Sequence, residues 1–150
     1  MERTLIIVKP DGVQRGLIGR VLSRLEDRGL RFAGLKLISI DQELAERHYG
    51  EHRDKPFFGD LVSFITSSPV VVSVVEGPDA VQVTRSIVGA TNPVDAAAGT
   101  IRGDFALSIG QNIIHASDKP ETAEREIDLF FDASELISYQ RDVDRWIVES

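Results

Sequence analysis

Short apolar runs and helical stripes succeed one another along this chain. Thr4 to Val8 is a β-branched run closed by Lys9-Pro10-Asp11-Gly12, which predicts a buried strand ending in a turn. From Gly16 to Arg28, the residues Leu17, Ile18, Val21, Leu22 and Leu25 recur at helical spacing, and Gly29 sits where a C-cap belongs. Arg31 to Ile40 alternates loosely as a second strand. Asp41 then caps a helix reaching about His52, and Pro56 opens another that carries Phe57, Phe58, Leu61, Val62, Phe64 and Ile65. Pro69 to Glu76 is the most apolar run, the pattern of a central strand covered on both faces. Asp79 is a suitable N-cap for a helix bearing Ala80, Val83, Thr84 and Ile87, which Gly89 ends. Gly89 to Gly103 has no period, and an irregular loop of this length inside a domain is usually functional. Phe105 to Ile109 and Ile113 to His115 read as strands. Pro120 opens a helix with Ala123, Ile127, Phe130 and Phe131, and the tail after it holds one capped helical turn and no further clear element.

Strands and helices in this order predict one domain spanning residues 1–150, of α+β class. The expected architecture is a ferredoxin-like (split βαβ) sandwich, a four-stranded mainly antiparallel sheet covered by helices. The competing topology is a doubly wound parallel sheet. Its phosphate-binding fingerprints are missing, because Gly12, Gly16 and Gly19 match neither the dinucleotide-binding nor the P-loop spacing.

Composition narrows the function classes. At 42% hydrophobic and 27% charged residues the chain has the make-up of an ordinary globular domain. No apolar run approaches the roughly 20 residues of a spanning helix, and the hydrophobic stretch near the N-terminus is too short for a signal peptide. The absence of cysteine excludes disulfides and thiolate metal sites and fits a cytoplasmic protein. A net charge of -7 argues against nucleic acid or an anionic membrane as partner. Small phosphate ligands stay open, since a few cations converging in one cleft set the local potential.

The candidate chemistry centres on Asn112-Ile113-Ile114-His115-Ala116-Ser117-Asp118, where an imidazole ends an apolar run. A neutral imidazole nitrogen is a nucleophile at pH 7 once an acceptor holds the other nitrogen as N–H, and Glu126 or Ser117 are the candidate acceptors. On position alone Glu126 reads as a solvated residue of its helix. His48 and Tyr49 fall on the inward stripe of the Asp41 helix, whereas His52 reads as solvated. Lys9, Arg85 and Arg102 read singly as surface charges but together suit a polyphosphate.

Six separated stretches, TLIIVKPDGVQRGLIG, HYGEHRDKPFF, GATNP, GTIRGDF, NIIHASD and AEREIDLFF, resemble the nucleoside diphosphate kinase family essentially end to end. The resemblance implies reversible transfer of a γ-phosphoryl group between nucleoside triphosphates and diphosphates through a phosphohistidine, with broad base specificity. Carried over by position, His115 takes the phosphoryl group, with Lys9, Tyr49 and Asn112 around it. Arg85, Thr91 and Arg102 match phosphate-binding positions, Phe57 matches the base-stacking aromatic, and Leu61 and Ile109 line the same slot. Glu126 with Ser117 supports the histidine, reversing the reading from position alone. The resemblance also implies magnesium held mainly by phosphate and water, and a homo-oligomer, hexamer favoured over tetramer. Val75 stands where many relatives carry tryptophan, and the ending WIVES differs from the commoner WIYE at the subunit interface. A nucleotide-sensing module that keeps the fold without the chemistry is the alternative, which the intact set of polar site residues opposes. A nucleic-acid-binding regulator is a third reading, opposed by the acidic balance.

Overall fold

The structure, a computed structural model, describes residues 1–149. Its four strands are β1 (Glu2–Val8), β2 (Arg31–Ile38), β3 (Val70–Gly77) and β4 (Ile114–Ala116). The helices are α1 (Pro10–Gln14), α2 (Ile18–Asp27), α3 (Gln42–His48), α4 (Phe58–Ile65), α5 (Ala80–Val88), α6 (Ile101–Phe105) and α7 (Pro120–Phe130). The sheet runs β2-β3-β1-β4 with every pair antiparallel, the α+β split βαβ arrangement that the order of elements predicts.

Period-two alternation divides the interior. Ile6 and Val8 of β1 join Val71 and Val75 of β3 beneath α2 and α5, packing with Leu17, Val21, Leu25, Ala80 and Val88. Leu5, Ile7, Val70, Val72 and Val74 point the other way, against Ala45 of α3, Val62 and Ile65 of α4, and Ile127 and Phe130 of α7. β3 is buried along its whole length, so both of its faces carry apolar residues.

Several expected boundaries shift for local physical reasons. Lys9-Pro10-Asp11-Gly12 is not a plain turn, because Pro10 at a first helical position, with φ preset, starts α1. Gly12 must lack a side chain there, since a Cβ would lie 2.8 Å from a Val8 methyl and 3.1 Å from the Ile113 carbonyl oxygen. α3 stops at His48 and a separate 3₁₀ turn covers Gly50–His52, while α4 begins at Phe58, two residues beyond Pro56. Asp79 does not cap α5 with its side chain. It is left-handed at φ 52°, and the Val81 N–H donates instead to Glu2 Oε1 at 2.8 Å.

The aperiodic segment is more ordered than its pattern indicates. Asn92 accepts from the Val94 N–H to start a 3₁₀ turn, and Thr100 accepts from the Gly103 N–H to cap α6. Phe105 to Ile109 is consequently not a strand. Phe105 completes α6, and Ser108 and Gln111 form only an isolated bridge. The tail folds back on the β2 side: the Ile137 N–H donates to the Ala33 carbonyl at 2.8 Å, Tyr139 Oη to the Phe32 carbonyl at 2.7 Å, and Arg31 joins Glu76 to Asp144. Among the described residues no helix is long and apolar enough to cross a membrane.

Candidate active site

β4 lies at the sheet edge beside β1, with Ile7 opposite His115. Approach to that strand is unusual. Ile113 is fully buried at φ 74°, a conformation costly for a β-branched residue, and the Ile114 N–H bonds back to the Asn112 carbonyl at 2.8 Å in a γ-turn. Such strain persists only where the surroundings dictate it. Here the Ile113 N–H donates to Asp11 Oδ2 at 2.9 Å and its carbonyl accepts from the Lys9 N–H at 2.8 Å. Asp11 is a site-shaping residue that the sequence reading missed, because nothing in the pattern links positions 11 and 113.

Beyond the γ-turn, His115 Nε2 lies 2.9 and 3.0 Å from the two carboxylate oxygens of Glu126. Glu126 is only 3% exposed. Its helix packs through Ala123, Ile127 and Phe130, and position 126 falls within that stripe, so it is not the solvated residue expected from position alone. Ser117 Oγ donates to Glu126 Oε1 at 2.6 Å, so it holds the carboxylate and not the ring. Burial opposes ionisation of Glu126. The hydrogen bond and charge of His115, the Ser117 hydroxyl and His48 together outweigh that, bringing its pKa down to about 2. An ionised carboxylate only accepts, so Nε2 carries the ring proton.

The surrounding groups are tuned mainly by burial. It lowers Lys9 to about 8, an effect that Asp11 opposes and Arg102 reinforces. It raises Tyr49 to about 12 with help from Glu126, so the phenol stays a donor. It also lowers Arg102 to about 10, with Arg85 adding to the shift. Arg102 is nine-tenths buried, and its guanidinium donates to the carbonyls of Asn112, Gly89 and Ile114 at 3.3, 3.0 and 2.6 Å. It therefore also braces β4, which its place in an aperiodic segment concealed. Arg85 Nη1 donates to the Ala116 carbonyl at 3.0 Å, and Asn112 Nδ2 ties the Thr91 carbonyl at 2.9 Å.

These groups meet in one cleft of about 530 Å³, within the roughly 300–1,000 Å³ range of ligand pockets. Lys9, Tyr49, Arg85, Thr91, Arg102, Asn112, His115 and Glu126 line its polar part. Phe57, Leu61 and Ile109 line its apolar part, Phe57 being 44% and Ile109 57% exposed. Ser117 stands behind, reached only through Glu126. Glu51, Asp118 and Thr122 also line the cleft without having been singled out in the sequence. His52, read as solvated, is partly buried there with its ring 5.5 Å from that of Phe57. A larger cavity of about 660 Å³ lies beside Arg31, Glu76, Arg141 and Asp144, whose charges are already paired with one another.

Comparison with known proteins agrees over the whole length. The sequence model described as nucleoside diphosphate kinase matches residues 2–136. The nucleoside diphosphate kinase of Thermomicrobium roseum is 67% identical over 148 residues, covering 99% of both chains. That of Archaeoglobus fulgidus is 57% identical over 149 residues, again 99% of each. Among solved structures, a halophilic nucleoside diphosphate kinase from Halobacterium salinarum in complex with CDP superposes with a TM-score of 0.96 at 55% identity, covering 99% of both chains. A nucleoside diphosphate kinase family protein from Babesia bovis gives 0.96 at 49% identity, covering 99% of this chain and 100% of its own. A match of this extent, at this identity, over a shared fold means that the chain belongs to the nucleoside diphosphate kinase family, enzymes that transfer phosphoryl groups between nucleotides.

Proposed function

We propose that His115 Nδ1 attacks the γ-phosphorus of a bound nucleoside triphosphate, and that the resulting phosphohistidine passes its phosphoryl group to a diphosphate in the same cleft. The observation carrying this is the paired contact of Nε2 with the Glu126 carboxylate, which fixes the ring proton at Nε2 and leaves the Nδ1 lone pair for phosphorus. As the N–P bond forms and the bond to the leaving diphosphate breaks, the ring becomes cationic and Glu126 stabilises it. Lys9, Arg85 and Arg102 offset charge on the phosphates, and the Tyr49 hydroxyl donates to them. Asn112 Oδ1, buried and without a hydrogen-bond partner among the described residues, is an acceptor for a ligand hydroxyl. Thr91 completes the phosphate end, while the base stacks on Phe57 between Leu61 and Ile109.

The donor chemistry of the cleft fits magnesium. Glu51 and Asp118 are exposed carboxylates on its lining, whereas Glu126 is committed to the ring and Ser117. Magnesium prefers hard oxygen ligands and keeps much of its water, so these two would hold it with the phosphates, and the ion supplies further charge neutralisation. We infer that residues 1–150 act as one catalytic domain, in the cytoplasm, within a homo-oligomer, a hexamer before a tetramer. Leu35 and Leu37, 54% and 64% exposed on edge strand β2, suit burial against another copy.

Incubation with labelled ATP alone tests the mechanism. The protein should retain an acid-labile, alkali-stable phosphate that a nucleoside diphosphate discharges. Full labelling of His115→Ala would refute the assignment.

A further inference from the structure

We propose that His48, His115 and Glu126 form a site for a zinc-class divalent ion, and that filling it switches the nucleophile off. One ligand atom from each residue lies within 4.8 Å of the other two. Glu126 bridges the pair, with Oε1 2.9 Å from His115 Nε2 and Oε2 3.5 Å from His48 Nδ1, and the two imidazoles stand nearly perpendicular at 88°. His48 is 4% exposed, and its Nδ1 has no hydrogen-bond partner among the described residues. A buried nitrogen aimed at a carboxylate without bonding it is costly to keep, and a metal ion would satisfy it.

Two imidazoles and one carboxylate are the donor set of open zinc sites, where bonds of about 2.0–2.2 Å put neighbouring ligands about 3.3 Å apart. The 2.9 and 3.5 Å separations, one to each carboxylate oxygen, lie either side of that value, while the three ligands together span up to 4.8 Å, so binding draws them closer. The set differs from the oxygen-only surroundings preferred by magnesium, so the two metals need not compete for one place. Of the three side chains only His115 is appreciably exposed, at 27%, so an ion enters from the cleft past that ring.

Coordination changes which ring nitrogen can react. A neutral imidazole holds one ring proton and one nitrogen lone pair. Zinc takes the lone pair at His115 Nε2, so the proton moves to Nδ1, and no proton is gained or lost. Nδ1–H cannot attack phosphorus. This inhibitory consequence rests on the reading of His115 as the nucleophile; the metal site itself does not.

The test begins with nucleotide-free protein titrated with Zn²⁺ and, as a spectroscopic probe, Co²⁺. One equivalent should bind, Co²⁺ should give the visible absorption of a tetrahedral site, and ¹⁵N NMR should show the His115 proton passing from Nε2 to Nδ1. His48→Gln should weaken zinc binding by about tenfold or more. It should also relieve zinc inhibition of phosphoenzyme formation by a similar factor, relative to its own zinc-free rate. The proposal fails if wild type binds no zinc, or if His48→Gln binds it equally well. Should that variant not fold, an unchanged His115 tautomer in zinc-saturated wild type overturns the proposal by itself. Zinc binding as described, in a protein that forms no phosphoenzyme without zinc, would instead sink the reading of His115 as nucleophile and leave the metal site standing.

Discussion

Asp11 Oδ2 accepts a 2.9 Å hydrogen bond from the Ile113 N–H, so a residue at the start of α1 holds the strained turn that leads into His115. Asp11→Ala removes that acceptor and lets Ile113 relax toward negative φ, shifting the ring relative to Glu126. Loss of a hydrogen bond to a charged group should cost about 1.5–3 kcal/mol in urea unfolding. The rate of phosphoenzyme formation should fall, and nucleotide affinity should weaken with it, because Asp11 also supports the charge on Lys9. Asp11→Asn keeps an oxygen acceptor and should recover much of the stability and the rate. A fully active Asp11→Ala would show that β4 positions the ring unaided.

Glu126→Gln is expected to fold, since an amide fills the same space and still pairs with Ser117. Its carbonyl can accept from Nε2–H, but it no longer balances the cationic ring, and its NH₂ can favour the wrong tautomer. Single-turnover phosphorylation should slow on the order of 10²-fold. A wild-type rate would reduce Glu126 to packing.

Lys9 sets a basic limb. Its pKa of about 8 lies below the ordinary 10.5, so the free enzyme loses this cation as pH rises past 8. A bound polyphosphate favours the charged form and moves the loss to higher pH. kcat/KM should therefore decline above about pH 8 while kcat holds further, and Lys9→Met should remove that limb. For stability the sign is opposite. The unfolded chain binds the extra proton between about 8 and 10.5, so this group's contribution to stability improves with pH across that window.

Phe57→Ala should weaken all nucleotides together, by about 1–3 kcal/mol, because stacking uses the π-face that every base has. Comparing kcat/KM for ADP, GDP, CDP and UDP with one donor decides the matter. Wild-type preference for a single base by more than about 4 kcal/mol would require edge-reading hydrogen bonds, which the apolar slot of Phe57, Leu61 and Ile109 does not offer.

Periodicity made the sheet and the long helices legible, and it placed His115 at the end of a strand. It failed where order comes from side-chain caps. Thr100 and Asn92 build turns in a stretch with no hydrophobic period, and Pro10 nucleates a helix too short to show one. Glu126 was misjudged on position because its charge concealed a place on the inward stripe, although the i+3 and i+4 spacing from Ala123 to Glu126 to Phe130 was present in the sequence. The left-handed Ile113 could not be read at all. A β-branched residue is the least expected there, and only the Asp11 and Lys9 contacts make it possible.

The pairing of Ile7 with His115 also governs when during folding activity can emerge. β1 leaves the ribosome early but must wait for a partner from near the other end of the chain, and closing so long a loop is entropically slow. The helices of the first half can form and dock on β1 and β3 while the edge beside β1 is still vacant. Until β4 fills it, Lys9 and Asp11 have no Ile113 to hold, and His115 has no fixed relation to Glu126. Catalytic competence is thus a late property of the folding chain, and a nascent or partly folded copy is a nucleotide kinase in sequence only.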